Sequence, residues 1–228
     1  MIDQEGYDRL LLRNPANYKA GFWATFIHDG QPHVICSNEP PDRMMVEEFP
    51  GKGIAKIRSS FQEYGYSPFI ELEDTIWSWN KPLLFWRHAV RNTTDQEIDD
   101  FRMYLLMDFD INGPESYKDD MGRYDPETGH MTVWDENRLY VKMSSRPQPD
   151  SWDISSPVKL KVDEVHRDLT RTLEKGPQDI VVGLQWNLGN IQPGESAIVD
   201  VVIAAADDLG EVRDLMHVAW DQFDMKMQ

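Results

Sequence analysis

Hydrophobic and polar residues alternate with a period of two along much of the chain. In 101–110, Phe101, Met103, Leu105, Met107 and Phe109 share one face, while Arg102, Tyr104, Leu106, Asp108 and Asp110 share the other. In 179–188, Ile180, Val182, Leu184, Trp186 and Leu188 repeat the pattern. Each predicts a strand buried on one side. The β-branched segment 197–204 follows the turn pair Pro193-Gly194 and reads as a strand entered from a turn. Further strands are expected over 21–28, 32–37, 53–61, 68–79, 82–92, 131–134 and 138–143. Asp29-Gly30 marks a hairpin, because a type I′ turn needs positive φ at both central residues. Asp135-Glu136-Asn137 marks another. No helical periods separate these strands, so antiparallel pairing is expected rather than βαβ units. The fold class that follows is all-β, a large two-sheet antiparallel β-sandwich of roughly ten strands.

A longer period appears only near the end. Leu209, Val212, Met216, Ala219 and Phe223 recur at spacings of three and four, and Asp208 stands three residues before Glu211 as in a capping box. A C-terminal α-helix over about 208–224 is expected. The polar segment 162–173 reads either as a second short helix or as a loop. The longest aperiodic stretch is 112–128, followed by 144–157, and long loops on a rigid scaffold are where function concentrates. Without a repeat or a linker, 1–228 reads as a single domain.

Composition narrows the function classes. The 228 residues suffice for a substantial core, and 40% hydrophobic with 11% aromatic content excludes disorder. No apolar run approaches the roughly 20 residues of a membrane span, and the acidic start lacks a signal-peptide core, so a cytoplasmic location away from membranes is expected. Forty acidic against 23 basic residues leave a net charge of −17, which argues against a nucleic-acid partner. The lone cysteine, Cys36, excludes an intramolecular disulfide and a multi-cysteine metal site.

Two constellations could carry chemistry. Asp108, Asp110, Asn112, Gly113 and Asp119 fill positions one, three, five, six and twelve of a Ca²⁺-binding loop. The match departs at Glu115, where an apolar residue is usual, in the short Asp119, and in following a strand. The competing reading is a solvated strand end and a turn. Trp77 and Trp79 share a strand face and Trp86 lies in the next strand. Exposed, these rings would make a stacking platform for sugars; buried, they are core. His88 joins them as a ligand-binding candidate, because Arg87-His88 interrupt an apolar strand as either its outer face or a pocket wall. Other strings carry less. His166-Arg167-Asp168-Leu169 resembles a kinase catalytic loop, but Leu173 stands where Asn is required. Asn92-Thr93-Thr94 is a formal glycosylation sequon.

The segments RNTTDQEIDDFRMYLLMDFDI and LQWNLGNIQPGESAIVDVVIAAADDLGEVRDLMHVAW, with the strand at 82–92, resemble the β-supersandwich of galactose-mutarotase-like proteins. Such domains also accompany the catalytic domains of some glycoside hydrolases. The resemblance implies a carbohydrate-linked scaffold. Mutarotases use a His and a Glu on the concave sheet, and neither is matched residue by residue here, so no catalytic role is carried over. Three functions are in view. One is a non-catalytic protein that binds a carbohydrate or a protein partner. Another is a small mutarotase- or lyase-like enzyme using carboxylate–His chemistry. The third is a structural domain stabilised by Ca²⁺.

Overall fold

The computed structural model describes residues 21–36, 43–48, 54–61, 69–79, 81–111 and 118–227. The strands are β1 (Gly21–His28), β2 (Gln31–Cys36), β3 (Arg43–Glu48), β4 (Ile54–Phe61), β5 (Ile70–Trp79), β6 (Lys81–Asn92) and β7 (Ile98–Asp108). They continue with β8 (Met121–Asp125), β9 (His130–Trp134), β10 (Tyr140–Arg146), β11 (Ser151–Ser155), β12 (Glu174–Lys175), β13 (Val181–Ile191) and β14 (Ser196–Ala206). A single helix, α1 (Leu209–Met227), ends the described chain. Two sheets form, in the orders β11-β13-β7-β1-β2 and β12-β8-β9-β10-β14-β6-β5-β4-β3. Their strand pairs are antiparallel, as expected. The β1–β2 turn has φ of 51° at Asp29 and 71° at Gly30, the type I′ signature.

The alternating faces meet between the sheets. Phe101, Met103, Leu105, Met107 and Phe109 from β7 and its end pack with Val182, Leu184 and Trp186 of β13 against Val199, Val201 and Ile203 of the larger sheet. Helix α1 covers the other face of that sheet, burying Val212, Leu215, Met216, Ala219 and Phe223 on Trp77, Leu83, Phe85, Val202 and Ala204. Asp208 caps it, accepting from the amides of Gly210 (2.7 Å) and Glu211 (3.1 Å). Leu209, in the first turn, remains 51% exposed, and Leu215 fills the stripe instead.

Two expectations need correction, and the open choice of helix or loop at 162–173 resolves as loop. Strands β7 and β13 are buried on both faces, because Tyr104, Leu106 and Val181 pack under Leu160, Val162 and Leu169. The segment 162–173 that supplies part of this cover is not a helix but an irregular strap. Asp163 accepts the amides of Val165 (2.9 Å) and His166 (2.7 Å) within the strap, and other polar groups are satisfied on the sheet. Arg167 donates to Thr25 Oγ1 (3.0 Å) and Asp100 Oδ2 (2.8 Å), and its carbonyl accepts from the Tyr104 hydroxyl (2.7 Å). Arg102 reaches Asp168 (2.9 Å), and Gln185 Oε1 accepts the Leu169 amide (2.8 Å). The kinase-like string is therefore a latch. The aperiodic stretches 112–128 and 144–157 contain β8 and β11, five-residue strands too short to show a period. In β8, Gly122 is required by packing, since a Cβ there would lie 2.9 Å from Ile154 Cγ2.

Trp77 is 5% exposed between sheet and helix, so Trp77→Ala should cost about 3–5 kcal/mol in denaturant unfolding. Leu209→Ala, at the exposed first turn, should stay within about 0.5 kcal/mol of the native chain.

Candidate functional site

The β5–β6 register decides which way each candidate points. Asp74 pairs with His88, and Ile76 with Trp86, so Asp74, Trp86 and His88 all face the space between the sheets. Arg87 faces the other way, toward α1. There it makes two 2.7 Å bonds to Asp200, and these raise its pKa beyond the ordinary guanidinium value. The polar pair Arg87-His88 thus splits, one residue to each face. Trp86 donates its indole N–H to Asp74 Oδ1 at 2.8 Å. His88 Nδ1 lies 2.6 Å from the same oxygen, a charge-pair distance not aligned as a hydrogen bond. His88 is fully buried between the Trp86 ring, 4.5 Å away, and Phe22 at 6.4 Å. Its Nε2 has no hydrogen-bond partner among the described residues.

The inner face is graded. Toward one end of β5 and β6, Ile70, Leu72 and Val90 are buried; toward the β5–β6 turn, Ile76, Leu84 and Trp86 are half-buried and Ser78 is exposed. Trp86 lies on the half-buried side of this gradient, packed against the inter-sheet core. Trp77 does not join it. That ring stacks on Phe85 (5.3 Å) and touches Phe223 (4.8 Å) beneath α1, on the opposite face, which excludes it from any exposed platform. The side chain of Trp79 lies outside the described residues.

The acidic constellation is placed differently from its sequence pattern. Asp108 and Asp110 are buried at and after the end of β7, Asp119 is half-buried, and Asn112 lies outside the described residues. Deepest is a residue the spacing did not select. Asp120 is 1% exposed and its Oδ1 has no hydrogen-bond partner among the described residues. Burial first, and then the charges of Asp119 and Asp110, push its carboxyl up to about 8. Asp135 adds to the repulsion, although its own oxygens accept the Leu139 amide and the Asn137 side chain, both at 3.0 Å. Among the described residues no three His, Cys, Asp or Glu side chains are grouped to hold one metal ion. The sequon asparagine is also accounted for. Asn92 is buried, donating to the carbonyls of Gln96 (2.7 Å) and Ile191 (2.8 Å).

No family model matches the chain, and no curated protein matches it by sequence. Solved structures do match. A bacterial glucoamylase complexed with acarbose superposes on 85% of this chain with a TM-score of 0.64 and 14% identity. The aldose epimerase homologue from C. elegans matches over 87% of this chain and 80% of its own, at 10% identity and a TM-score of 0.51. A polysaccharide lyase matches over 87% of this chain, at 12% identity and a TM-score of 0.51. The scaffold resembles in fold that of galactose-mutarotase-like aldose epimerases. The chain spans 27% of the glucoamylase and 27% of the lyase, and at these identities the likeness is one of fold. No helix among the described residues of this supersandwich is long and apolar enough to cross a membrane.

Sequence reasoning missed Asp74 and Asp120, because one carboxylate among forty carries no local signal. The signal for Asp74 was cross-strand. It is the residue that pairs with His88 once the β5–β6 turn is placed.

The raised Asp120 pKa sets a sign. Between about pH 4 and 8 the folded state holds a proton that the unfolded chain has released, so stability falls as pH rises through that window. Asp120→Asn should remove this slope, which is at most about 1.4 kcal/mol per pH unit for one proton. Melting temperatures of both chains across the window, in chelator, test it; parallel profiles would refute the assignment.

Proposed function

We propose that the protein is a non-catalytic supersandwich that binds a carbohydrate at the half-buried end of the inner face, with Trp86 as the stacking ring and Asp74 as the hydrogen-bond acceptor. What carries this reading is the pairing of a half-buried indole with a carboxylate, 8% exposed, that fixes its N–H at 2.8 Å. A flat ring meets the apolar face of a pyranose, and a carboxylate alongside accepts from its hydroxyls. His88 is enclosed and supports Asp74 from behind. The fold supports the ligand class, since it is shared with a glucoamylase, an aldose epimerase homologue and a polysaccharide lyase.

A second reading, acid–base catalysis on a sugar, is favoured by the 2.6 Å approach of His88 to Asp74. Full burial of His88 weighs against it, because substrate must reach a catalytic group.

Intrinsic fluorescence and calorimetry against mono- and oligosaccharides separate the two. The binding reading expects saturable quenching, weakened at least about ten-fold by Trp86→Ala, with no change in the sugar. Binding indifferent to Trp86→Ala, or no binding by any sugar tested, would overturn it. Anomer interconversion that Asp74→Asn abolishes would establish the enzyme instead.

A further inference from the structure

Register divides the charged residues of the large sheet between its two faces. On β4, Lys56 and Arg58 share the side of Ile54, which packs beneath α1, while Phe61 lies on the inter-sheet core. On β5, Glu71 and Glu73 share the side of Trp77. On β6, Lys81, Arg87 and Arg91 share the side of Leu83 and Phe85, and on β14, Asp200 shares that of Val202 and Ala204. These charges answer one another on the outer face. Arg58 reaches Glu73 at 3.0 Å, and Arg87 reaches Asp200 at 2.7 Å. Among the described residues of these four strands, Asp74 is the sole aspartate, glutamate, lysine or arginine on the inner face.

The two contacts of Asp74 fall on one oxygen. Oδ1 accepts the Trp86 indole at 2.8 Å and lies 2.6 Å from His88 Nδ1. Oδ2 accepts no hydrogen bond among the described residues, and it is not one of the fully enclosed polar atoms. The Asp74 side chain keeps 12% of its surface exposed, whereas that of His88 keeps none. A molecule arriving over the Trp86 ring therefore meets the carboxylate and not the imidazole. Across the strands Asp74 is flanked by Ile57 and His88, and along β5 by Leu72 and Ile76 on its own face. His88 is its one titratable neighbour there; the other three are apolar. A carboxylate in such low-dielectric surroundings interacts strongly with a cation, and no lysine or arginine of these strands shares its face.

We propose that the carbohydrate recognised here is an amino sugar with a free ammonium group, bound to Asp74 Oδ2 with its ring face on Trp86. This rests on the carbohydrate reading above and narrows its ligand class. A sugar hydroxyl would donate a neutral O–H to Oδ2 and leave the negative charge unanswered. An ammonium donates to the same oxygen and neutralises it, and such charge-assisted bonds are roughly twice as strong as neutral ones. Trp86 acts in the same direction, since the face of an indole attracts a cation. N-acetylation removes the positive charge and keeps a single N–H. A uronate brings a second negative charge to Asp74, and the chain's net charge of −17 opposes it at longer range.

The test is calorimetry of the full chain at neutral pH and constant ionic strength, with glucosamine, N-acetylglucosamine, glucose and glucuronate as single sugars, and with the glucosamine and N-acetylglucosamine tetramers. Glucosamine is expected to bind at least about ten-fold more tightly than its acetylated and neutral counterparts, with glucuronate weakest. In Asp74→Asn the ratio of glucosamine to N-acetylglucosamine affinity should fall toward one, and Trp86→Ala should weaken every sugar. The comparison of free and acetylated amine is made on the native chain, so it decides the matter even where Asp74→Asn does not fold. N-acetylglucosamine, glucose or glucuronate binding as tightly as glucosamine, and weakened by Trp86→Ala, would overturn the ammonium assignment and leave the carbohydrate reading standing. A glucosamine preference that persists in both variants would overturn it too, assigning the preference to the net charge of the chain. Binding by none of these sugars would overturn both.

Discussion

Coverage of the large sheet on both faces is the constraint from which the rest follows. Strands β6 and β14 place Val90, Val199, Val201 and Ile203 in the inter-sheet core and Leu83, Phe85, Val202 and Ala204 beneath α1. With apolar residues on both sides, sliding one strand by a single residue would exchange one greasy face for another, so hydrophobicity specifies register weakly. Polar cross-strand pairs supply what it lacks. Arg87 meets Asp200 directly across β6 and β14, and Asp74 meets His88 directly across β5 and β6. A one-residue slip would leave the half-buried Arg87–Asp200 pair and the buried Asp74 carboxylate without their cross-strand partners, and an unpartnered buried carboxylate is costly. The polar residues interrupting these strands are therefore register locks first.

The small sheet solves the same problem without a helix. Its outer face is covered by a strap whose few apolar residues suffice because two arginines, two aspartates and a tyrosine hold it down. An irregular segment can stay buried only if its backbone and side-chain groups find partners on the sheet. Arg167 and Gln185 do this for the strap. The strap is thus set by long-range bonds, joining positions 63 to 142 residues apart in the chain in the case of Tyr104 and Thr25 with Arg167.

That difference explains what could be read from sequence. Period-two segments long enough to alternate several times, such as those of β7, β13 and β14, were legible with bounds near the observed ones, as was α1 from its stripe and cap. Short strands such as β8 and β11 offer two or three inward positions and no measurable period. The strap has no local pattern because its structure depends on distant partners. The same holds for the sites. Trp86 and His88 were legible as oddities within a strand, whereas Trp77, identical in type, belongs to the core only because α1 lands on it. Asp74 became visible through register, and Asp120 through burial.

Scaffold and chemistry must be kept apart here, since one fold serves a glucoamylase, an epimerase homologue and a lyase. What distinguishes this chain is which polar groups escape complete internal satisfaction. The Arg87–Asp200 pair and the strap latch are closed systems, every charge answered by its opposite. The Trp86–Asp74–His88 group is not: it sets a half-buried ring beside a carboxylate that an enclosed imidazole also approaches. Buried or crowded polar groups left in that state oppose folding. Asp120, buried among carboxylates with one oxygen lacking a hydrogen-bond partner among the described residues, is in the same state, so incomplete satisfaction alone marks a cost to the fold and does not by itself name a ligand.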